Sequence, residues 1–288
     1  MKSILLASLL LLLPLRSFAH PPSLWESWEW EEETWLDAPK QDRPDSFRQL
    51  DELWPTPGDT RLGSGAPGPE YWQQRADYAI EVRLDPIAHR LEGRETITYF
   101  NESPHDLEYM WLQIDQNRMR RDSRGTLAGA APTFSGSKSL GWIRQQQARQ
   151  EFEGGAEILS VTLSDGQPLK HVIIDTVMRI DLPATLEAGD SIRFVIEWSS
   201  AIVPSHVMRA RSGYEWFDET NNAIYEIAQW FPRMCPYTDG DGWQNKQFLG
   251  SSEFALEFGD YDLAITVPET FVVASSGSLE NPKSVLRS

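Results

Sequence analysis

The sequence predicts an all-β protein, with antiparallel sheets arranged as a β-sandwich or saddle and a long mixed insert. Three observations lead to this fold class. Apolar and polar residues alternate with a period of two in many short stretches between residues 78 and 267. Turn-forming glycine, proline and aspartate residues separate these stretches. A helix-like run occurs in the insert, and about ten strands with few helices are typical of a sandwich.

The predicted strands follow from this alternation, beginning with Tyr78, Ile80, Val82 and Leu84 on one face of the first strand. Asp85 and Pro86 then turn the chain, and residues 93–100 form the return strand. Further strands are predicted at residues 107–114, 157–163, 170–174, 177–182, 192–198, 254–258, 261–267 and 271–274. The alternation changes face at Gly259, which indicates a bulge or bend.

The insert, residues 116–155, loses the period of two. It contains a glycine- and serine-rich stretch and a helix-like run at 142–152. Four arginines lie near its start: Arg118, Arg120, Arg121 and Arg124. We expect it to be a mixed excursion from an otherwise β domain, residues 71–288.

The N-terminal segment is predicted to be cleaved from the mature protein. Residues 1–19 combine Lys2, an apolar run at 4–15 and a small-residue site at Ser17 and Ala19, a pattern typical of a cleaved signal peptide. Export to the periplasm or the extracellular space is therefore expected. No other apolar run approaches membrane length, so no membrane partner is predicted.

Residues 20–70 differ in composition from everything that follows. Tryptophans and glutamates alternate irregularly in the first half, and prolines and glycines dominate the second. We expect a Trp/Glu-rich arm followed by a Pro/Gly linker, both poorly ordered. Two interpretations stay open for the arm: it packs on the rest of the protein, or it is a mobile tail.

Charge and cysteine content exclude several classes of protein. The formal net charge is −17, which disfavours nucleic acid and anionic lipid as partners. Cys235 is the single cysteine, so an exported form has no internal disulfide. A thiol without a neighbouring base is not an activated nucleophile, and a partly buried structural role is expected.

No metal site or catalytic residue is predicted in this chain. The five histidines are scattered without helical spacing, and the sequence contains no H-E-x-x-H. The run Asp239-Gly240-Asp241-Gly242 lacks the ligand spacing of an EF-hand loop, and we interpret it as a tight acidic turn. The twelve tryptophans leave one alternative open, a secreted β-sandwich module that binds carbohydrate or protein; core packing is the competing interpretation.

Five stretches from residue 71 onwards carry a resemblance to a known domain: residues 71–78 (YWQQRADY), 91–99 (LEGRETITY), 110–118 (MWLQIDQNR), 229–243 and 253–268 (EFALEFGDYDLAITVP). On these stretches the sequence resembles the N-terminal β-domain of the M1 family of zinc aminopeptidases, in the gluzincin group, and looks most like its exported bacterial branch. The resemblance covers over two hundred residues in the same order.

The resemblance implies a role for one residue. In the family this domain closes one side of the active-site cleft, and a glutamine after Thr or Ala binds the free amino end of the peptide substrate. Ala228-Gln229 matches that pair, so Gln229 is the predicted substrate-binding residue. Beyond it the sequence departs, because Trp230-Phe231-Pro232-Arg233-Met234-Cys235-Pro236 replaces a family run similar to Phe-Pro-Cys-Phe-Asp-Glu-Pro.

The same resemblance implies that zinc belongs to a partner that this sequence does not include. Family members hold zinc with H-E-x-x-H and a later glutamate in a catalytic domain. We therefore expect an N-terminal portion of a peptidase that is not catalytic alone, with that catalytic domain as its partner and no cofactor of its own. A fragment, a truncated reading frame and a lone β-domain with another use all remain open.

Overall fold

The structure is a computed structural model that describes residues 58–129, 137–208, 210–250 and 254–286. The predicted signal peptide and residues 20–57 of the arm lie outside the described residues. The remaining part of the linker, from residue 58, contains an isolated bridge between Arg61 and Pro67. Arg61 also forms an ion pair with Asp239 at 2.7 Å, which attaches this stretch to the domain.

The larger sheet has five strands in the order β13-β1-β2-β7-β4. Its strands are β1 (Arg75–Asp85), β2 (Arg90–Phe100), β4 (Ala156–Leu163), β7 (Ser191–Ala201) and β13 (Tyr261–Thr266). Alternate residues of β1 are buried, as the period of two predicts. All pairings are antiparallel except that between β13 and β1, which is parallel.

The second sheet has four strands in the order β10-β3-β6-β5, all antiparallel. They are β3 (Leu107–Gln113), β5 (His171–Ile174), β6 (Val177–Leu186) and the two-residue β10 (Arg233–Met234). Two small hairpins complete the described strands: β8 (Gly213–Phe217) with β9 (Asn222–Glu226), and β11 (Tyr237–Thr238) with β12 (Gly242–Trp243). The all-β class with several antiparallel sheets is confirmed.

A single cluster of buried side chains from both sheets forms the core, with Trp198, Phe194, Tyr99 and Ile97 fully buried. Gly93 on β2 makes room for the largest of them. A Cβ atom on Gly93 would lie 2.2 Å from the indole of Trp198, the residue paired with it on β7. The glycine is required here by close packing.

The insert contains three short helical elements, as its loss of alternation predicts. They are a 3₁₀ helix (Asp115–Met119), α1 (Arg124–Gly129) and α2 (Leu140–Glu151). The helix predicted at 142–152 is thus confirmed with slightly earlier bounds. Its N-cap is Ser139, whose hydroxyl accepts from the backbone N–H of Trp142. No residue of α2 is buried.

Two predicted strands are wrong. Residues 271–274 form no strand, and α3 (Pro282–Val285) follows them. Residues 254–258 form no ladder either, and Phe258 is 74% exposed instead of sharing a buried face. The buried residue there is Glu257, whose carboxylate accepts from the N–H of Tyr237 at 2.7 Å. A side-chain hydrogen bond replaces the expected strand pairing.

The bend at Gly259 is confirmed, and its cause is backbone contact. A Cβ atom there would lie 1.7 Å from the carbonyl oxygen of Ala76. The close approach lets the N–H groups of Ala76 and Tyr78 donate to Phe258 and Asp260 at 2.9 and 2.8 Å. These bonds start the parallel pairing of β13 with β1.

The hairpin β8–β9 was not predicted from the sequence.

Within the described residues, no helix has both the length and the apolar character needed to cross a membrane.

Candidate functional site

Gln229 lies three residues beyond the end of β9, at a bend. The structure places the stretch 227–229 immediately after this strand. The backbone of Gln229 has φ 52°, in the left-handed region that residues other than glycine, asparagine and aspartate seldom adopt. A strained conformation at one residue persists only where its surroundings fix it, and such residues cluster at functional sites.

Two polar side chains fix the bend. Gln116, buried on the 3₁₀ helix, donates from Nε2 to the carbonyl oxygens of Ala228 and Gln229, at 3.2 and 2.8 Å. Ser212 accepts from the N–H of Ala228 at 2.8 Å and donates to its carbonyl oxygen. The sequence does not predict these contacts. Gln116 lies 112 positions from Ala228 along the chain, and Ser212 lies 16 positions from it.

The residues after Gln229 return at once to the core. We call residues 227–250 the aromatic segment. Trp230 packs against Trp198 with ring centroids 5.7 Å apart, and Phe231 meets Tyr78 edge to face at the same separation. The N–H of Met234 then donates to the hydroxyl of Tyr78 at 2.9 Å. Gln229 is therefore anchored on both sides, whereas its own side-chain amide makes no hydrogen bond to a described residue.

A buried ion pair connects this segment to the 3₁₀ helix. Arg233 donates from Nη2 to Asp115, and the side chains are 14% and 1% exposed. Burial raises the pKa of Asp115 above its usual value, because desolvation outweighs the opposing effect of Arg233. On β2, the carboxyl of Glu95 is fully buried and has no hydrogen-bond partner among the described residues, and burial raises its pKa strongly.

The turn and the cysteine of the aromatic segment match the sequence predictions. Asp239 and Gly240 lie in the tight turn between β11 and β12, and the carboxylate of Asp239 is bound by Arg61 rather than offered to a metal. The hydrogen bond from Arg61 lowers the pKa of Asp239. Cys235 is fully buried, and desolvation raises the pKa of its thiol, which therefore stays protonated.

Three of the four described histidines bond to a tyrosine or to the backbone, and the fourth, His206, is exposed. His89 and His105 lie 2.7 and 2.9 Å from the hydroxyls of Tyr225 and Tyr237, and burial lowers the pKa of both imidazoles. In the part of the chain that the structure describes, no three His, Cys, Asp or Glu side chains converge as a metal site would require.

A groove of about 410 Å³ opens beside the bend. The hairpin β8–β9 contributes Glu215, Ile224 and Glu226, and the segment before it contributes Ser205, Met208, Ala210 and Ser212. Because Ser212 also holds Ala228, the groove and the bend at Gln229 are parts of one local structure. Carboxylates and apolar side chains in a groove suit an extended ligand with a cationic end.

The described tryptophans mostly pack inside the domain. Trp198 and Trp243 are buried, and Trp72, Trp111 and Trp230 pack against the core. Within the described ranges, Trp142 on α2 and Trp216 on β8 are the exposed ones, at 40% and 49%. They stand on separate elements, an arrangement that does not favour a sugar-binding platform.

Comparison with known proteins gives structural neighbours only. No family model matches the chain, and no curated protein matches it. Among solved structures it is similar to an M1 zinc metallopeptidase mutant from Deinococcus radiodurans bound to a Tyr-Ser-Ala substrate. The identity is 13%, the TM-score 0.37, and the match covers 77% of this chain and 38% of that one.

The unmodified M1 zinc metallopeptidase from Deinococcus radiodurans is similar at 12% identity and a TM-score of 0.34, over 68% of this chain and 33% of that one. This chain thus spans little more than a third of the length of the structures that it matches.

Proposed function

We propose that this chain is the N-terminal portion of an M1-like zinc aminopeptidase of the exported bacterial branch. It supports the catalytic domain and forms one wall of the peptide-binding cleft, where Gln229 binds the amino end of the substrate. The observation that carries the proposal is the bend at Gln229. The family resemblance selects Gln229, and the structure holds this residue in a strained backbone conformation through two buried polar residues, Gln116 and Ser212.

The chemistry of an amide suits this role. Its oxygen accepts a hydrogen bond from an ammonium group, and its nitrogen donates to a peptide carbonyl. The backbone of Gln229 is already fixed by Gln116 and Ser212, while its side chain makes no hydrogen bond to a described residue. Ligand binding therefore costs little further ordering of the backbone.

The carboxylates of the adjacent groove support the same orientation of the ligand. Glu215 and Glu226 are exposed on the hairpin face that lines the groove. Their negative charge favours an ammonium group over a carboxylate at this end of a peptide.

Zinc is assigned to the catalytic domain and not to this chain. The sequence lacks H-E-x-x-H, and three of the four described histidines bond to tyrosines or to the backbone. The residues present therefore do not fit the metal, and this chain would supply substrate contacts only. When bound in the catalytic domain, zinc would activate the water that hydrolyses the N-terminal peptide bond.

The experiment that tests the proposal has a genetic and a biochemical arm. The nucleotide sequence after codon 288 is expected to encode H-E-x-x-H in frame, within an exported enzyme. The purified chain with added zinc is expected to leave aminoacyl p-nitroanilides intact. Turnover that a chelator abolishes would refute the assignment of zinc to another domain, and a downstream frame without the motif would refute the proposal that this chain is the N-terminal portion of a zinc aminopeptidase.

A further inference from the structure

Strand β13 forms one edge of the five-stranded sheet and exposes an apolar row. Residues that are paired in a sheet have side chains on the same face, so this row continues the core face of β1. The pairs are Tyr261 with Tyr78, Leu263 with Ile80, and Ile265 with Val82. The three β1 side chains are buried, whereas those of β13 are 37% to 52% exposed. The core face thus extends one strand beyond the part that the rest of the domain covers.

The backbone of β13 is unpaired along the same edge. The N–H of Tyr78 donates to the carbonyl oxygen of Asp260 at 2.8 Å, so Asp260 and every second residue after it direct their polar groups towards β1. The N–H and C=O groups of Tyr261, Leu263 and Ile265 therefore point away from the sheet, where no strand of the described residues pairs with them. An edge with free backbone groups and an apolar face is a template for a further strand.

The opposite face of this edge is acidic. Asp262 lies on the outer face of β13, and Glu81 of β1 is paired with Ala264 on the same face. Neither carboxylate forms an ion pair among the described residues, whereas Asp260 is bound by Arg75 at 2.7 Å. Because Ala264 is small, a long cationic side chain placed opposite it has room to reach Glu81.

The charges decide which kind of strand fits the edge. A second copy paired antiparallel about Leu263 would bring the two Asp262 side chains to diagonal positions, and each copy carries a net charge of −17. The arm at residues 20–57 is rich in glutamate and has the same disadvantage. A basic segment of another polypeptide meets no such repulsion.

We propose that β13 is a strand-addition site for an extended segment of another protein, in which apolar and basic residues alternate. The segment pairs antiparallel, the more stable arrangement per residue. Its apolar side chains cover Tyr261, Leu263 and Ile265, and its basic side chains lie opposite Asp262 and beside Glu81. The site involves neither Gln229 nor zinc, so it is tested independently of the function proposed above.

The test uses the purified chain and the peptide acetyl-Lys-Val-Lys-Val-Lys-Val-Lys-amide, whose valines match the apolar row of β13. Isothermal titration calorimetry measures the affinity, and NMR follows amide hydrogen exchange. In the free chain the amides of Tyr261, Leu263 and Ile265 should exchange fast, whereas the pairing with β1 protects those of Asp262 and Ala264. Saturating peptide should slow exchange at the first three amides by about 10-fold or more.

Modified peptides separate strand pairing from simple charge attraction. Methylation of the valine backbone nitrogens keeps the positive charge but removes the N–H groups that face β13 in an antiparallel pair, so it should abolish binding. Methylation of the backbone nitrogens of the two inner lysines, which face away, should change the affinity by less than about threefold. The peptide acetyl-Glu-Val-Glu-Val-Glu-Val-Glu-amide should bind about 10-fold more weakly than the lysine peptide.

A charge reversal on the protein tests the role of the acidic face. Asp262→Lys should change the ratio of the two affinities by about 10-fold in favour of the glutamate peptide, because it turns an attraction into a repulsion. Glu108→Lys makes the same change of net charge at an exposed position of β3, in the other sheet, and should leave the ratio unchanged.

Absence of saturable binding, equal binding of the peptide methylated at its valines, or an unchanged affinity ratio in Asp262→Lys would each overturn the proposal. Protection of the Tyr261, Leu263 and Ile265 amides without peptide would also overturn it. Protection that is independent of protein concentration would assign the edge to a segment of this chain, and protection that rises with concentration would assign it to a second copy.

Discussion

The five-stranded sheet and the aromatic segment are built by different interactions. In the sheet, continuous backbone ladders join β1, β2 and β7 over eleven residue pairs each, and one face is buried. The aromatic segment, residues 227–250, has only two-residue ladders and is held by side chains that bond to its backbone, such as Gln116 and Tyr78. A substitution in the sheet should therefore unfold the protein, whereas one in the segment should move a functional group.

Removing the largest core side chain should strongly destabilise the five-stranded sheet. Trp198→Ala is expected to lower the free energy of unfolding by about 3–5 kcal/mol, since the cavity cannot close against Gly93. Urea denaturation followed by circular dichroism measures the change. Trp216→Ala, on the exposed face of β8, is the matched control and should cost less than about 1 kcal/mol. Equal losses would show that Trp198 is not a main core residue.

The buried ion pair attaches the aromatic segment to the end of a strand of the four-stranded sheet, because Asp115 follows β3 and Arg233 lies in the segment. Asp115→Asn should cost about 2–4 kcal/mol, since it leaves Arg233 buried without a counter-charge. The same denaturation experiment applies. Asp122→Asn, which breaks the exposed pair with Arg120, should have no measurable effect. A small loss for Asp115→Asn would indicate that solvent reaches Arg233.

Stability should depend on pH through Glu257, whose burial raises its pKa from 4.5 to about 7. The folded state binds more protons than the unfolded state between these values, so the free energy of unfolding falls as pH rises from about 5 to 8. The loss is about 2–3 kcal/mol. Burial of Glu95 raises its pKa too and acts in the same direction.

Glu257→Gln should flatten this pH profile and raise stability at pH 8, because the amide oxygen can still accept from Tyr237. Glu92→Gln, on the exposed side of β2, should leave the profile unchanged. A steep profile that persists in Glu257→Gln would assign the effect to other groups.

A smaller effect is expected at the bend itself. Gln229→Gly relieves the left-handed strain, whereas Gln229→Ala retains it, so the glycine variant should be more stable by about 1 kcal/mol. Thermal denaturation of the two variants gives the difference. Equal stability would mean that the bend relaxes when the side chain is removed.

The strands β1 and β2 follow most directly from alternation, because each buries alternate residues. Residues 254–258 show where this reasoning fails: the pattern predicts a buried Phe258, yet the structure buries Glu257, whose carboxylate binds a distant backbone group. The hairpin β8–β9 was missed because neither strand has a buried face.

The site itself was predictable only in part. Gln229 was selected by family resemblance, and the acidic turn and buried cysteine by local chemistry. The groups that fix the bend, Gln116 and Ser212, come from other parts of the chain, and their contacts exist only once the sheets have assembled.

The most direct test of the central claim is the kcat/KM of the enzyme encoded by the complete reading frame, for an aminoacyl substrate, in Gln229→Ala and Gln229→Gly. Both variants delete the amide, but only glycine relieves the backbone strain. Loss of a hydrogen bond to a charged amino group predicts a fall of about 10- to 100-fold in both. If both stay within about twofold of the wild type, Gln229 does not bind the substrate.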